Sequence, residues 1–401
     1  MNLILIKPNE RSTSTTNTTA SGVNDGANSS SSSSSVITVD LSPNDERTKH
    51  LLHHLHKQNG DSVSVGFIDS YGGWKCKAVI QYYCPTIPIP ILTNKTNNNT
   101  NNDDDTNDTN NNTTHGRMGV RLLVPTSMEP SIAIKQSHSS NIPQITILLA
   151  VPFPSRLKYL WPVMASFISV TRIIIVQSTL SNPEFIQSKA LHPTVYQPLI
   201  EKGMSQGGRT RPIQVDICVG DTDYEYETIS KSLLERLGLV SSSSSSSSDD
   251  TTTNHNIARI FLDCGDENED ISPPPPAREV VLNQCCRETT TTVATPSTST
   301  TAPSAIIAIG PERGWTDNEA NVFVRECGFK SATLGSSILR VDTAVVSAVG
   351  MVTAALDECY HHDHHRRQQV SRSSCSKVDD DCGVAADDGM SRKRKSDSTI
   401  E

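Results

Sequence analysis

The sequence predicts an α/β protein in two parts, a small β-rich domain followed by a parallel sheet with helices on both faces. Three observations predict it. From Ile145 onward, short apolar runs alternate strictly with helical segments. The stretch Ala305 to Leu356 reads strand, glycine turn, helix, and then repeats that order. Ahead of both, the segment Gly60 to Asp69 alternates as a half-buried strand, Gly72-Gly73 turns, and Trp74 to Tyr82 returns as its hairpin partner.

In chain order, Met1 to Ile6 and Val36 to Val39 read as strands flanking a serine tract, and Asp45 to Lys57 reads as a helix ending at Asn59-Gly60. This helix carries Leu51, Leu52 and Leu55 on one side and is otherwise locally basic, with Lys49, His50, His54 and Lys57. After the hairpin, Arg117 to Val124 adds another strand, which together suggests a small β-barrel. The second part begins with strand Ile145 to Ala150 and a helix from Arg156 to Phe167. Strand Arg172 to Val176, helix Val195 to Gln206, strand Ile213 to Val219, helix Tyr224 to Leu237 and strand Ala258 to Leu262 follow, for a sheet of about six strands.

The last ordered stretch is the most informative. Ala305 to Ile309 is a buried strand, Gly310-Pro311-Glu312-Arg313-Gly314-Trp315 is a turn, and Thr316-Asp317-Asn318-Glu319 fits a capping box. Gly328 is placed to end the helix in a left-handed conformation. Strand Ser331 to Leu334, turn Gly335 to Arg340 and helix Asp342 to Glu358 repeat the unit. The second helix is apolar over much of its circumference, which a monomer of this size would struggle to cover, so a homodimer is expected. Two glycine turns following adjacent parallel strands would lie at the carboxyl edge of the sheet, where open α/β folds bind ligands; glycines that merely turn the chain fit the spacing equally well.

Composition limits how much of the chain is core. At 401 residues, 35% hydrophobic and 4% aromatic content is low, and the deficit lies in Ser/Thr/Asn/Asp tracts. Disordered insertions are therefore expected at 11–35, 93–114, 241–256 and 266–303, with a disordered tail at 361–401. That leaves a globular body of roughly 250 residues. The net charge of −9 argues at first against a nucleic-acid partner, but the acidic residues concentrate in or beside the tracts, so a local basic patch is compatible with it. Ten scattered cysteines without a Cys-x-x-Cys pair point to a reducing compartment, and the His-rich tail reads as solvated, so no metal is expected. No apolar run reaches membrane-spanning length, so no membrane partner is expected.

Ile309-Gly310-Pro311-Glu312-Arg313-Gly314-Trp315-Thr316, followed by Leu334-Gly335-Ser336-Ser337-Ile338-Leu339-Arg340-Val341-Asp342-Thr343-Ala344, closely resembles the paired signatures of the RsmE family. These are ribosomal RNA uracil-N3 methyltransferases of the SPOUT superfamily. Arg47 to Leu55 and Asn59 to Val63 are similar to the family's opening domain, and Phe153 to Lys158 and Gly203 to Pro212 match at corresponding places. The resemblance implies a PUA-like RNA-binding β-barrel at 1–135, a SPOUT α/β trefoil-knot methyltransferase domain at 142–360, a bent S-adenosylmethionine and a site completed by dimerisation. Three departures stand out: Ser337 where the family commonly has arginine, Ser205 where glutamate is frequent, and Ile168-Ser169 where a glycine usually precedes the valine.

Uracil N3 is protonated at neutral pH and lies on the Watson–Crick edge, so an acceptor there must be unpaired, aligned with the methyl donor and helped to lose its proton. The expected cofactor set is Leu262, Ile309, Gly310, Pro311, Glu312, Gly314, Leu334, Gly335, Ile338 and Leu339. Glu312 is the candidate base or cofactor-amine partner, and Arg340 the candidate cation for the anionic uracil. Lys49, His50, His54, Lys57, Arg209, Arg211 and Arg313 are the candidate RNA contacts. The expected partner is ribosomal RNA or the small ribosomal subunit, with another RNA, or a homologue that binds RNA without catalysis, as alternatives. Because Met1 to Ile6 already reads as core strand, no import presequence is expected, which favours the cytoplasm over the nucleus, to which Arg392 to Lys395 would point, and over an organelle.

Overall fold

The computed structural model describes residues 3–16, 34–69, 73–84, 118–131, 142–218, 229–240, 257–263, 273–285 and 302–375. The long Asn/Asp/Thr tract, both Ser-rich runs near 29–33 and 241–253, the start of the helix expected at Tyr224 and the basic cluster at 392–395 lie outside them.

The first sheet orders β1 (Ile4–Ile6), β4 (Ser62–Phe67), β5 (Trp74–Tyr83), β6 (Gly119–Pro125), β3 (Ser34–Leu41) and β2 (Ser12–Thr16) side by side. Only β1 and β4 run parallel; the other pairs are antiparallel. Inward residues such as Val39, Val65, Phe67, Ala78, Leu122 and Val124 form one core, on which Trp74 stacks against Phe67 at 4.2 Å between ring centroids. β2 is a correction, since its residues fall inside the insertion expected at 11–35: the Ser/Thr run pairs with β3, and β-branched threonine suits an edge strand.

The helix expected from Asp45 to Lys57 is shorter. Asp45 caps it by accepting from the Arg47 amide, α1 covers Glu46–Lys49, and a π-turn over His50–His54 closes it. Arg47 then ties three pieces together, donating to Glu10, to Asp45 and to the Leu5 carbonyl.

β1 belongs to two cores at once. Ile4 and Ile6 point into the first sheet's core, while Leu3 and Leu5 join the main core of the second, as the period of two requires. The Leu3 amide donates to the Ser205 carbonyl and the Ser205 hydroxyl donates to the Leu3 carbonyl, so this departure from the family pattern serves to dock the two sheets.

The second sheet is wholly parallel, in the order β12 (Lys330–Ala332), β10 (Ile257–Leu262), β11 (Ser304–Ile309), β7 (Gln144–Ala150), β8 (Val170–Val176) and β9 (Gln214–Ile217). β10 stands between β11 and β12, so the two glycine turns follow strands separated by one other strand rather than adjacent ones. Ile147, Ile173 and Ile307 face one core; Leu148, Ile174 and Ile306 face the other. The first face is covered by α2 (Pro154–Ser166), α3 (Pro193–Gly207), α5 (Ala277–Cys285) and α7 (Val341–Cys375). The second is covered by α4 (Lys231–Arg236) and by α6 (Asp317–Asn321), which continues as a π-turn through Glu326. α6 has the expected capping box between Thr316 and Glu319, and Gly328 adopts the left-handed conformation after it (φ 71°).

Helices α2 and α3 meet without side chains between them. A Cβ on Gly203 or Gly207 would fall on the Pro162 or Ser166 carbonyl, so the two glycines permit backbone contact.

Three further expectations are corrected. α5 lies within the stretch 266–303 expected to be disordered, because Ala277, Val280 and Val281 are buried on the main core. α7 runs on to Cys375, well into the expected tail. Its apolar side, with Val345, Ala348, Val349, Val352, Ala355 and Leu356, is buried by this same chain, so apolarity alone does not call for a second subunit. Cys359 on α7 is disulfide-bonded, which runs against the reducing compartment expected from the scattered cysteines.

Candidate active site

All six parallel strands end at one edge of the sheet, and the loops leaving β7, β11 and β12 carry the candidate site. The β11 turn is held by a hydrogen bond from the Gly314 amide to the Pro311 carbonyl, and Gly314 has φ 75°. Gly310 is constrained differently from the expectation of cofactor approach: an added Cβ would crowd the Trp315 indole at 3.0 Å. In the β12 turn, Gly335 has φ 137° and is clasped by Thr333, whose hydroxyl bonds both its amide and its carbonyl. Open space lies where a Cβ would stand on Gly314 and Gly335.

Glu312 reaches across to the β7 loop. Its Oε1 accepts from the Phe153 amide at 3.2 Å and sits 3.4 Å from the Arg156 Nε. Arg156, in the first turn of α2, also donates to Asp342 at the start of α7 at 3.0 Å. One guanidinium therefore joins three loops. Arg340 lies only 3.5 Å from the carboxylate oxygen of Asp342 that Arg156 already holds, and its side chain is 68% exposed. Its exposure lets it meet an anion from solvent while it stays beside Asp342, whereas Glu312 is engaged through Oε1 and has Oε2 left to accept from a ligand. This arrangement suits Glu312 better as a positioning acceptor than as a base.

The remaining expected ligand residues surround these loops. Leu262 is half-buried at the end of β10, Ile309 and Pro311 are buried, Leu334 and Leu339 are half-buried, and Ile338 is 80% exposed. Among the described residues, no backbone hydrogen bond engages the amides of Ser336 to Leu339. Free amides beside apolar side chains fit the polar edge and the flat face of a heteroaromatic ring. Ser337 is exposed in this turn.

Of the expected RNA contacts, Arg209 is a correction. It is 3% exposed, and its guanidinium donates to the carbonyls of Phe167, Ile168, Val170, Arg211 and Pro212, which leaves no face for a phosphate. Burial, aided by neighbouring Arg211, pushes its pKa down to about 9, so it remains a cation at neutral pH. Arg211 is half-buried and Arg313 is exposed on the β11 turn. Lys49 is exposed and paired with Glu46, His54 is exposed, and Lys57 is half-buried. The His50 Nε2 is buried and has no hydrogen-bond partner. Lys49, His50 and His54 share one short helical segment, and Lys57 follows it in the loop before β4. The other two departures have structural partners: Ser205 docks Leu3, and Ser169 bonds Thr353 of α7 at 2.8 Å.

Sequence reasoning passed over Arg156 and Phe153 as site residues. Their signal is position, since Phe153 to Arg156 directly follow a strand at the same edge as both glycine turns. Among the described residues no group of three or more His, Cys, Asp or Glu is arranged to hold a metal, and no helix is long and apolar enough to cross a membrane.

Residues 275–353, which span α5, β11, both turns and the start of α7, match the model of an RNA methyltransferase domain. Ribosomal RNA small subunit methyltransferase E of Synechocystis sp. is 42% identical over 52 residues, which amount to 13% of this chain and 17% of that protein. Among solved structures, one of a ribosomal RNA small subunit methyltransferase E from Neisseria gonorrhoeae bound to S-adenosyl methionine aligns at 16% identity and a TM-score of 0.42, covering 79% of this chain and 91% of the other. A probable rRNA-methyltransferase from Porphyromonas gingivalis aligns at 15% identity and 0.43, covering 79% and 92%. The segment that builds this sheet edge is thus similar to RNA methyltransferase domains, and in its shared stretch to ribosomal RNA small subunit methyltransferase E.

Proposed function

We propose that the chain is an S-adenosylmethionine-dependent methyltransferase acting on N3 of a uridine in small-subunit ribosomal RNA. The observation that carries this reading is the Arg156 junction, which fixes Glu312 and Asp342 between two glycine turns and leaves Arg340 exposed, all within or beside the RNA methyltransferase segment. When bound, S-adenosylmethionine supplies an electrophilic methyl group. The β12 turn offers the amides of Ser336 to Leu339 and the side chains of Leu334, Ile338 and Leu339 to the adenine, and Glu312 offers Oε2 to the amino group. Arg340 stabilises negative charge on the uracil as its N3 proton leaves to solvent or to a nearby acceptor.

In this reading residues 1–135 are a PUA-like RNA-binding domain, with Lys49, His54 and Lys57 toward phosphate, and 142–360 a knotted SPOUT domain. The resemblance in sequence supports both. A homodimer belongs to the same reading. The face of α7 bearing Thr343, Val346, Gly350 and Ala354 is exposed and small enough for a second backbone to approach, and light scattering at the monomer mass would refute it. The proposed compartment is the cytoplasm, tested by imaging a carboxyl-tagged fusion, which an organellar pattern would overturn.

The test is transfer of tritium from labelled S-adenosylmethionine to unmodified small ribosomal subunits, with transfer RNA in parallel. Label on the ribosomal RNA supports the proposal; label on transfer RNA alone moves the substrate. A folded chain that binds cofactor and RNA without transfer would favour a binding protein, the alternative that Ser337 suggests.

A further inference from the structure

We propose that Phe153 and Phe185 form a stacking platform for an unpaired nucleobase of the RNA substrate, beside the Glu312 turn. The inference rests on the methyltransferase reading for the identity of the ligand, and on geometry for the platform.

Phe153 is 48% exposed in a chain with few aromatic residues, whereas Phe67, Phe261, Phe323 and Phe329 are all fully buried. The exposed ring stands in the loop after β7, with its own amide on Glu312. The ring is also held in place. Its amide donates to Glu312 Oε1, its carbonyl accepts from the Leu157 amide at 3.0 Å, and its ring lies 4.9 Å from that of Phe185, tilted by 48°. Phe185 is itself half-buried against the main core, so it anchors the exposed ring from within. A ring fixed by its backbone and by a neighbour has little freedom left to lose when a base stacks on it.

The surroundings favour a base over a protein. Arg156, Glu312, Asp342 and Arg340 crowd the same loops, and the centres of protein interfaces are depleted in charge, whereas stacking on nucleic acid tolerates adjacent cations. A base with its phosphate meets both needs, with its face on Phe153 and its charge near Arg340. An acceptor reached on its Watson–Crick edge has to be unstacked from the RNA, and an aromatic face at the site replaces part of the lost stacking.

The experiment titrates the full chain with an unmodified small-subunit ribosomal RNA transcript and compares Phe153→Ala, Phe153→Leu and Phe153→Tyr. The expected result is roughly tenfold weaker RNA binding for the Ala and Leu variants and a change within about twofold for Tyr. S-adenosylmethionine affinity should stay within about twofold of wild type in all three, since only the main-chain amide of Phe153 reaches Glu312, and the thermal midpoint should fall by no more than a few degrees. Wild-type affinity in Phe153→Ala, or full rescue by Leu, overturns the platform. A change in molecular mass by light scattering without a change in RNA affinity also overturns it, because the ring then serves a contact between copies. Wild-type protein that methylates RNA while Phe153→Ala is indistinguishable sinks the platform alone. Ring-dependent binding without methyl transfer sinks the methyltransferase reading and keeps the platform, and no RNA binding by wild type sinks both.

Discussion

Replacing Arg156 with alanine should cost far more in turnover than in stability. The side chain pairs with Glu312 at 3.4 Å and Asp342 at 3.0 Å, and all three groups are about a quarter exposed. Water screens such pairs, so their loss should lower folding stability by only about 1 to 2 kcal/mol and the thermal midpoint by a few degrees. The catalytic effect is different in kind. Without the junction, the β11 turn and the start of α7 lose their common tether to α2, and Glu312, Asp342 and Arg340 are free to drift. Misplacement on the order of an ångström costs about a hundredfold in rate, or about 2.7 kcal/mol of activation free energy. The assay is single-turnover methyl transfer at saturating RNA and cofactor, with calorimetry for cofactor affinity and a melting curve beside it. Arg156→Lys restores charge without the two-pronged geometry and should recover only part of the rate. A rate within about twofold of wild type for Arg156→Ala would refute the tether.

Gly203→Ala should force α2 and α3 apart, because the new Cβ meets the fixed Pro162 carbonyl, and lose about 1 to 3 kcal/mol in a denaturant titration; an unchanged midpoint would contradict the close packing. Arg209→Ala leaves five backbone carbonyls without their donor and should destabilise by about 3 kcal/mol or more, seen as lost folded protein rather than selectively lost RNA affinity. The first sheet should weaken in acid. Burial raises the Glu10 and Asp45 carboxyls, but the hydrogen bonds and charge of Arg47 outweigh it and hold both below their ordinary values. Their stabilisation is therefore complete above the ordinary carboxylate range and is lost as pH falls through the lower folded values, below about pH 4. Arg47→Met should flatten that acid limb in melting experiments, and an unaltered limb would remove the network as its cause.

The parallel sheet was legible because its strands are buried on both faces and read as continuous apolar runs, as in Ile145 to Ala150 and Ala305 to Ile309. Capping at Thr316 was legible for a local reason, as the cap bonds within three residues. What was missed depends on distant partners. Ser12 to Thr16 becomes a strand because β3 offers an edge, and Ala277 to Cys285 becomes a helix because the main core accepts Val280 and Val281. Strand order hid the separation of the two glycine turns, since β10 inserts between strands that are neighbours in the later sequence. At the site, Glu312 and Arg340 were found by motif. Arg156 was not, since its partners lie 156 and 186 residues away and only folding brings them together. Arg209 misled for the converse reason: a basic run in sequence gives no sign that one member turns inward.

If this sheet edge methylates N3 of an unpaired uridine with Arg340 beside it, the product is 3-methyluridine. Mass spectrometry of nucleosides from small-subunit ribosomal RNA, incubated with the protein and S-adenosylmethionine, tests it most directly. 3-Methyluridine should form with wild-type protein, and Arg340→Ala should lose about a hundredfold or more in its rate of formation at unchanged cofactor affinity. Methylation at another atom or base, or equal yields from both proteins, would contradict it.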